Sequence, residues 1–593
     1  MTRKLIFSNN HCVGCNQCVR ICKSFGASVS ISENGKSLIG INPERCIVCG
    51  ACIDVCRHHA REYADDTEQF FADLEKGEPV SVLVAPSFMA KYPDDYRRYL
   101  AILKKLGVKR ILPVSFGADI CTWGYLKLIR EQGYTGLIST SCPVVVSYVE
   151  HWMPELLVKL LPVKSPMMCA AVYCRKELGM TEKLAFLGPC IAKRLEMDKE
   201  PGLMQYNLTF PKLIGHLKKY PDITPGDAEE PIENLGAGLG SFYPAPGGLA
   251  DNVKWLLGDD VPVRVISGKT YLYQRFSENR GSIFNSRLPY ALFDALNCRE
   301  GCLEGTARLD DPEREAIGLL KIGEIRKSSK NAAKESPWNP DLSCEERWAN
   351  MEKQFAGLAL SDYLTDFQDH SASCFVSHPT SDEAETIYRS MRKFTRESRQ
   401  INCASCGYAT CEHMMISIHN GFNTRDNCVY FEKEEALHLM KMSYSDELTG
   451  VMNRNALESG WSGMFIPGRS AAVISVDVNG LKQVNDLFGH SEGDRLIVGT
   501  ARQLAYVFRN ERVFRVGGDQ FLVLLSDYDK GEIEKNMEFV KKSLKESGIF
   551  ISLGLAWEAL YQEDFQAMKE AADKKMYEDK NQFYESTGHP RRT

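Results

Sequence analysis

The chain has 593 residues, 44% hydrophobic and 25% charged, a globular composition with length for about three to five domains. A net charge of −6 without a basic block excludes a nucleic-acid surface, and no apolar run approaches the ~20 residues of a membrane span. The N-terminal residues reach Cys12 without an apolar core, so a cytoplasmic location is expected, and the 21 cysteines read as metal ligands rather than disulfides. All 21 lie at or before Cys428, which separates a cysteine-rich front from a cysteine-free end.

Residues 1–65 contain Cys12-x2-Cys15-x2-Cys18-x3-Cys22 and, 34 residues later, Cys46-x2-Cys49-x2-Cys52-x3-Cys56. C-x2-C loops deliver several thiolates to one point, as iron–sulfur clusters require; zinc sites favour two separated pairs. The repeat resembles bacterial two-cluster ferredoxins, with Lys23 and Arg57 where proline usually follows the fourth cysteine. The resemblance implies two 4Fe-4S clusters with crossed ligation: Cys12, Cys15, Cys18 and Cys56 for one, and Cys46, Cys49, Cys52 and Cys22 for the other.

Residues 75–325 become α/β, with buried strands expected at Val80–Ala85 and Arg110–Val114. Cysteines here are dispersed: Cys142 in Ser139-Thr140-Ser141-Cys142-Pro143, Cys190 in Gly188-Pro189-Cys190-Ile191-Ala192-Lys193, and Cys298 and Cys302 within Cys298-x3-Cys302-x2-Gly305. In this order, with Phe116-Gly117-Ala118-Asp119, they resemble the active-site domain of FeFe hydrogenases, whose motifs read T-S-C-C-P, M-P-C-x2-K-x2-E and A-C-x3-C-x2-G. The resemblance implies that Cys142, Cys190, Cys298 and Cys302 ligate a 4Fe-4S cluster. It further implies that Cys302 bridges to a di-iron unit, completing an H-cluster, with Lys193 bonding one of its cyanides and Glu196 nearby. Two proton-path groups differ: Ser141 replaces a cysteine, and Gly124 replaces a glutamate. A serine hydroxyl is a far weaker acid than a thiol, so the pattern suits a slow sensory site.

Residues 326–395 turn polar and read as a connector, including Lys327–Lys334. Cys121, Cys169, Cys174, Cys344 and Cys374 stand alone and are expected to be structural. Residues 396–432 hold Cys403-x2-Cys406-Gly407-Tyr408-x2-Cys411-x16-Cys428, which resembles a small single-cluster 4Fe-4S domain; zinc is the alternative ligand. Residues 433–445 are helix-prone and read as a signalling helix or a rigid spacer.

From 446 to 590 the pattern changes. Asp446-Glu447-Leu448-Thr449-Gly450 precedes the strand Ala472–Val476, which runs into Asp477-Val478-Asn479-Gly480-Leu481-Lys482-Gln483-Val484-Asn485-Asp486. Gly493-Asp494, the hairpin Arg515-x-Gly517-Gly518-Asp519-Gln520-Phe521, Ser552-x-Gly554 and Ala572-Asp573-x2-Met576-Tyr577-x2-Lys580 follow. These five ordered segments resemble a GGDEF domain, the diguanylate cyclase family, which joins two GTP molecules into cyclic di-GMP across a dimer interface. The resemblance implies catalytic roles for Asp477, Asp519, Gln520 and Lys482. Asp477, Asp519 and the Val478 carbonyl would bind Mg2+, Asn485 and Asp494 guanine, and Lys482 and Lys580 phosphates. Gln520 stands where the family has glutamate, keeping an acceptor oxygen but not the charge. Phe508 and Glu511 occupy the positions of an inhibitory R-x2-D motif, so product inhibition by that route is not expected. A GTP-binding or dimerisation module without catalysis is the alternative.

The expected fold class is multidomain α/β and α+β: a ferredoxin-like Fe-S module, an FeFe hydrogenase-like α/β domain, a small Fe-S domain and a GGDEF α/β domain. The expected function is a hydrogen- or redox-sensing protein controlling a dimeric diguanylate cyclase. GTP, redox partner proteins and cluster-maturation proteins are the expected partners. The rival reading is a working hydrogenase with a degenerate nucleotide module.

Overall fold

A computed structural model of the chain describes residues 4–33, 36–133, 135–220, 231–236, 238–307, 312–330, 333–562 and 564–587. It divides into two compact units, Met1–Val429 and Tyr430–Thr593. Among the described residues no helix is long and apolar enough to cross a membrane.

The first unit opens with two small antiparallel ribbons, Ile6–Ser8 with Arg61–Tyr63 and Ser28–Glu33 with Lys36–Ile41. Beyond them lie two parallel sheets. One has the order Ile111–Pro113, Val80–Val84, Lys183–Gly188, Tyr206–Thr209; the other Val263–Ser267, Leu292–Leu296, Leu137–Ile138. Strands covered on both faces read as apolar runs without alternation, and Val80–Val84 and Leu292–Leu296 are buried throughout. The second expected strand is shorter than its sequence suggests: it ends at Pro113, and Val114 already begins the helix Val114–Gln132.

Chain following a parallel strand leaves at the sheet's carboxyl edge, where α/β folds build their sites. Cys142 follows Leu137–Ile138, Cys190 follows Lys183–Gly188, and Cys298 follows Leu292–Leu296.

The segment 326–395 is not an extended solvated connector over its described part. Trp338, Met351, Phe355 and Tyr363 are buried in the same apolar cluster as Phe116, Trp123 and Leu161. Met351 and Phe355, wholly apolar, each contribute about 1.5–3 kcal/mol by leaving water. Helices Cys344–Gln354 and Ser381–Ser390 both begin with capping boxes, from Ser343 with Glu346 and from Thr380 with Glu383. Asn331 and Ala332, within the expected polar stretch, lie outside the described residues.

The second unit is a five-stranded sheet in the order Met452–Asn453, Val513–Arg515, Gln520–Ser526, Ala471–Val478, Ile551–Glu558. The strand Ala471–Val478, paired on both sides, is buried along its whole length. Helix Phe565–Thr587 crosses Ile551–Glu558 so closely that a Cβ on Gly554 would stand 2.1 Å from the Ala572 carbonyl oxygen. That approach explains why the Ser552-x-Gly554 and Ala572–Met576 segments occur together. The helix expected after the last cysteine runs Val429–Tyr444, with Leu437, Leu439, Met440 and Met442 exposed.

Candidate functional sites

The two ferredoxin-type runs fold alike. Left-handed backbone falls at Gly14 and Asn16 in the first and at Val48 and Gly50 in the second, each pair two and four residues after its first cysteine. Val48, β-branched with φ of 56°, is a strained residue. Such backbone aims successive N–H groups into one concavity and suits an anionic cluster. Cys12, Cys15, Cys18 and Cys56 line a single cavity with Arg61, whose guanidinium donates to Cys18 Sγ at 3.1 Å. Cys46, Cys49 and Cys52 stand near one another and near Cys22. Burial pushes the thiols up, Cys46 to about 12 and Cys49 to about 11, with the neighbouring sulfurs adding to the effect. Each thiolate is disfavoured here unless a cation neutralises it, and an iron–sulfur cluster does so.

The hydrogenase-type cysteines also converge. Cys298 and Cys302 each lie near both Cys142 and Cys190. Burial, with the neighbouring Cys142 and Cys190 thiols adding to it, raises Cys302 to about 12. A cavity of about 70 Å³ opens beside Cys190 and Cys302, lined also by Ser141, Lys193 and Tyr243, with room for a small ligand. Lys193 is buried; its ammonium donates to Glu196 Oε2 at 2.8 Å and to the Ser141 carbonyl at 3.2 Å. Burial favours its neutral form, but Glu196 and the Cys190 and Cys302 sulfurs outweigh that, and its pKa is raised. Glu196 also accepts from Ser165 Oγ at 2.8 Å. The residues present therefore fit a cubane with a small charged group beside Cys302.

The departures have structural counterparts. A Cβ on Gly124 would meet Val163 Cγ1 at 3.1 Å and Leu360 Cδ1 at 3.4 Å, so the space of a glutamate is filled by apolar packing. Gly188 is likewise covered: a Cβ there would stand 2.1 Å from the Phe186 ring. Sequence reading missed a larger cavity of about 490 Å³, lined by Ser165 and Glu196 together with Glu150, Lys164, Lys199 and His370. Glu150 and Glu200 signal nothing by themselves, because their partners Lys199 and Lys164 lie 49 and 36 residues away.

In the third module Cys406 lies near Cys403 and Cys428. Cys411 opens the helix Cys411–His419, and its amide donates at 2.8 Å to Asn402, the residue before Cys403. Ala404 adopts φ of 57°, the same left-handed device as in the ferredoxin loops. The module sits against the ferredoxin segment. Asn16 and Asn427 exchange two amide bonds, at 2.7 and 2.9 Å, and Arg20 donates to the Ala404 carbonyl at 2.7 Å. A Cβ on Gly407 would stand 2.6 Å from Val19 Cβ, and the Tyr408 and Phe25 rings lie 5.5 Å apart.

Of the lone cysteines, Cys121, Cys169, Cys174 and Cys374 are buried and Cys344 is partly exposed. Among the described residues no three His, Cys, Asp or Glu side chains close on a single-ion point.

In the second unit Asp477 pairs in register with Gln520 across the central strands, and the Val478 amide donates to the Asp519 carbonyl at 3.1 Å. Asp477 is buried and accepts from Lys580 Nζ at 2.6 Å. Burial raises its pKa, and Asp519 adds to this against the opposing effects of Lys580 and the Gln520 amide. Two neighbouring carboxyl groups, Asp477 and Asp519, each disfavouring the other's charge, suit a divalent cation. Gly517 and Gly518 close the hairpin with ordinary φ, and a Cβ on Gly518 would meet nothing within 4 Å. Arg515 braces the turn, donating to Gly518 O at 2.8 Å and to Asp446 at 3.0 Å, a link the sequence did not reveal. Asn485 Oδ1 is buried without a partner, whereas Asp494 and Lys482 are exposed.

Three family models match. Residues 11–60 match a 4Fe-4S dicluster domain, residues 78–306 the C-terminal domain of the iron only hydrogenase large subunit, and residues 443–585 the diguanylate cyclase GGDEF domain. Iron hydrogenase 1 of Clostridium pasteurianum is 25% identical over 395 residues, covering 54% of this chain and 68% of that protein. Diguanylate cyclase DgcN of Escherichia coli is 27% identical over 158 residues, covering 24% of this chain and 38% of the cyclase, so the chain spans well under half of that relative. Among solved structures, a variant of the [FeFe]-hydrogenase HydA1 of Chlamydomonas reinhardtii matches at 15% identity and TM-score 0.38, over 52% of this chain and 100% of that one. The coiled coil and GGDEF domain of DgcB from Caulobacter crescentus matches at 21% identity and TM-score 0.22, over 26% of this chain and 87% of that one.

Proposed function

We propose that this chain, which joins a 4Fe-4S dicluster segment, an iron-only hydrogenase-type domain and a GGDEF domain, senses hydrogen or redox state and controls diguanylate cyclase output. The observation that carries the reading is the succession of cysteine quartets. The Cys142/Cys190/Cys298/Cys302 group touches the Cys22/Cys46/Cys49/Cys52 group through Asn297, which donates to the Cys49 carbonyl at 3.1 Å. Asn16, between Cys15 and Cys18, in turn meets Asn427, the neighbour of Cys428. The succession thus ends at the residue before the helix Val429–Tyr444.

Four 4Fe-4S clusters, with a di-iron unit at Cys302, would supply reversible one-electron and hydrogen chemistry when bound. Around them the protein holds charge. Arg61 donates to Cys18, and Lys193 presents an ammonium, anchored by Glu196, to the cavity beside Cys302. Ser141 lines that cavity with a hydroxyl where a faster proton donor would be acidic. In the GGDEF domain, Asp477 and Asp519 would hold Mg2+, with Lys580 already seated on Asp477 to meet phosphate. Asn485 offers its unpaired Oδ1 to guanine, with Asp494 and Lys482 exposed nearby in sequence for base and phosphate. Two copies are needed for two GTP molecules, so the working form is a homodimer, loaded by maturation proteins in the cytoplasm.

Control requires that the input favour one of two states of the output. The test is cyclic di-GMP formation by the anaerobically loaded protein under hydrogen and under argon, with and without dithionite. A rate differing by several-fold is expected, and an identical rate in all conditions would sink the reading. A second reading, hydrogen turnover as the main activity, is favoured by the cavity lined by Ser165 and by Glu196, the carboxylate that Lys193 holds. Rapid hydrogen uptake in the same assay, with unchanged cyclic di-GMP output, would select it.

A further inference from the structure

The motif that Cys298–Gly305 resembles carries alanine before its first cysteine; this chain has Asn297. Asn297 follows the strand Leu292–Leu296 and is 1% exposed. An amide so deeply buried costs free energy unless its groups are bonded, whereas alanine would carry no such cost. The amide is engaged on three sides. Its Nδ2 donates to the Cys49 carbonyl at 3.1 Å and to Cys298 Sγ at 3.4 Å, and its Oδ1 accepts from the Tyr273 hydroxyl at 2.5 Å. One side chain therefore joins a loop of the second ferredoxin-type quartet to a sulfur of the hydrogenase-type quartet.

The same two segments are locked beside it. The largely covered Lys269 ammonium pairs with Asp54, two residues after Cys52, and with Glu304 at 3.0 Å, two residues after Cys302. A Cβ on Gly50, next to Cys49, would stand 3.0 Å from the Thr306 carbonyl oxygen, so no larger residue fits between the loops. This fixed approach gives the Asn297 bonds a defined geometry.

We infer that Asn297 is a positioning residue that raises the reduction potential of the cluster held by Cys142, Cys190, Cys298 and Cys302 and keeps it coupled to the cluster held by Cys22, Cys46, Cys49 and Cys52. An N–H donor on a ligand sulfur stabilises the more negative, reduced cluster, and hydrogen bonds to the sulfurs are one of the protein's means of setting the potential. Thr306 Oγ1 donates to Cys190 Sγ at 3.4 Å in the same sense, so removing Asn297 alone shifts the potential without abolishing the effect. The bond to Cys49 adds a short route between the two groups, from carbonyl through amide to sulfur. The inference rests on the proposed cluster assignment.

The test uses the full chain, loaded anaerobically, as wild type, N297A, N297D and Y273F. Iron and sulfide are quantified first, and each cluster is then followed by redox-poised electron paramagnetic resonance. N297A is expected to move the hydrogenase-type cubane to more negative potential. N297D, which adds a charge, should move it further, and Y273F, which frees Asn297 from its anchor, should move it less and in the same direction. The spin–spin broadening between the two reduced clusters should weaken in N297A, while the cluster at Cys12, Cys15, Cys18 and Cys56 keeps its potential. Full loading with unchanged potential and broadening in every variant overturns the inference. A loaded wild type without a hydrogenase-type cubane signal overturns the cluster assignment itself, which is a different failure and takes the inference with it. If N297A does not load, Y273F, which leaves the amide in place, decides by the sign of its shift.

Discussion

Gln520 shows what one residue exchanges. Its amide donates to Asp477 and lowers that carboxyl's pKa, against burial and Asp519. Glutamate at this position would replace the donor with a third negative charge. Without a divalent cation the three carboxylates repel, so Gln520→Glu should lower the melting temperature of the metal-free protein. On the proposed function, with Mg2+ the added charge completes a stronger site, and cyclic di-GMP formation by the variant should exceed that of the wild type about tenfold or more in the same assay. A variant no faster than wild type in Mg2+ would show that the glutamine does not limit the chemistry. The letters of this site were legible because the family pattern fixes residue types at fixed spacing. The Asp446–Arg515 brace was not, since its partners lie 69 positions apart and neither is unusual alone. Val48 was hidden for another reason: a left-handed valine looks, in sequence, like any strand or core valine.

At the scale of elements, the third cysteine module is a docked body whose seat can be probed. Asn16 and Asn427 are both buried and donate to each other's Oδ1, so truncating either leaves the other's Oδ1 without its donor at a cost of about 1–3 kcal/mol, while the remaining Nδ2 keeps the Ser405 carbonyl (Asn16) or Asn423 Oδ1 (Asn427). Truncating both leaves no orphan of that pair. Asn16→Ala and Asn427→Ala should therefore each speed hydrogen exchange in residues 403–428 and 12–20, and the double variant should be less perturbed than the sum of the two. Strict additivity would mean that the asparagines stabilise their own loops and do not clamp the module to the ferredoxin segment. The strands of the parallel sheets were readable as apolar runs, and both four-cysteine runs as loops. In the segment 326–395, read as a polar connector, the buried Trp338, Met351, Phe355 and Tyr363 were not legible because they come at irregular intervals within polar sequence. Periodicity finds an element that presents one face, and it misses a chain that inserts isolated side chains into another domain's core.

At the scale of the whole molecule, the two units have separate cores. The apolar clusters of the first use residues from Phe70 to Tyr363, and those of the second use residues from Val451 to Ala572. Calorimetry should therefore resolve two transitions, each answering to its own ligand. Mg2+ with a nonhydrolysable GTP analogue at about a hundredfold excess over its dissociation constant stabilises its unit by about 2.7 kcal/mol, moving one transition up by roughly 5–10 °C. Anaerobic cluster loading should move the other, because the thiols of Cys46, Cys49 and Cys302, their pKa values raised by desolvation and by neighbouring sulfurs, resist ionising until iron takes them. The cluster-binding transition should also carry a distinctive pH dependence. Burial lifts Asp119 to about 7 and Asp294 to about 6, from an ordinary 3.8, against amide bonds from Gly238 and Gly240 in the first case and from Ala250 and Leu249 in the second. Each folded carboxyl holds its proton where the unfolded one has lost it, so its contribution to stability is complete below pH 3.8 and is lost as pH rises to about 6 and 7. This transition should thus fall in temperature between pH 4 and 7, and Asp119→Asn should flatten the upper part of that slope while lowering stability through the amide bond it loses. A single transition moved equally by iron and by nucleotide would instead mean that the two units unfold as one, and control would then have to act through a shared core.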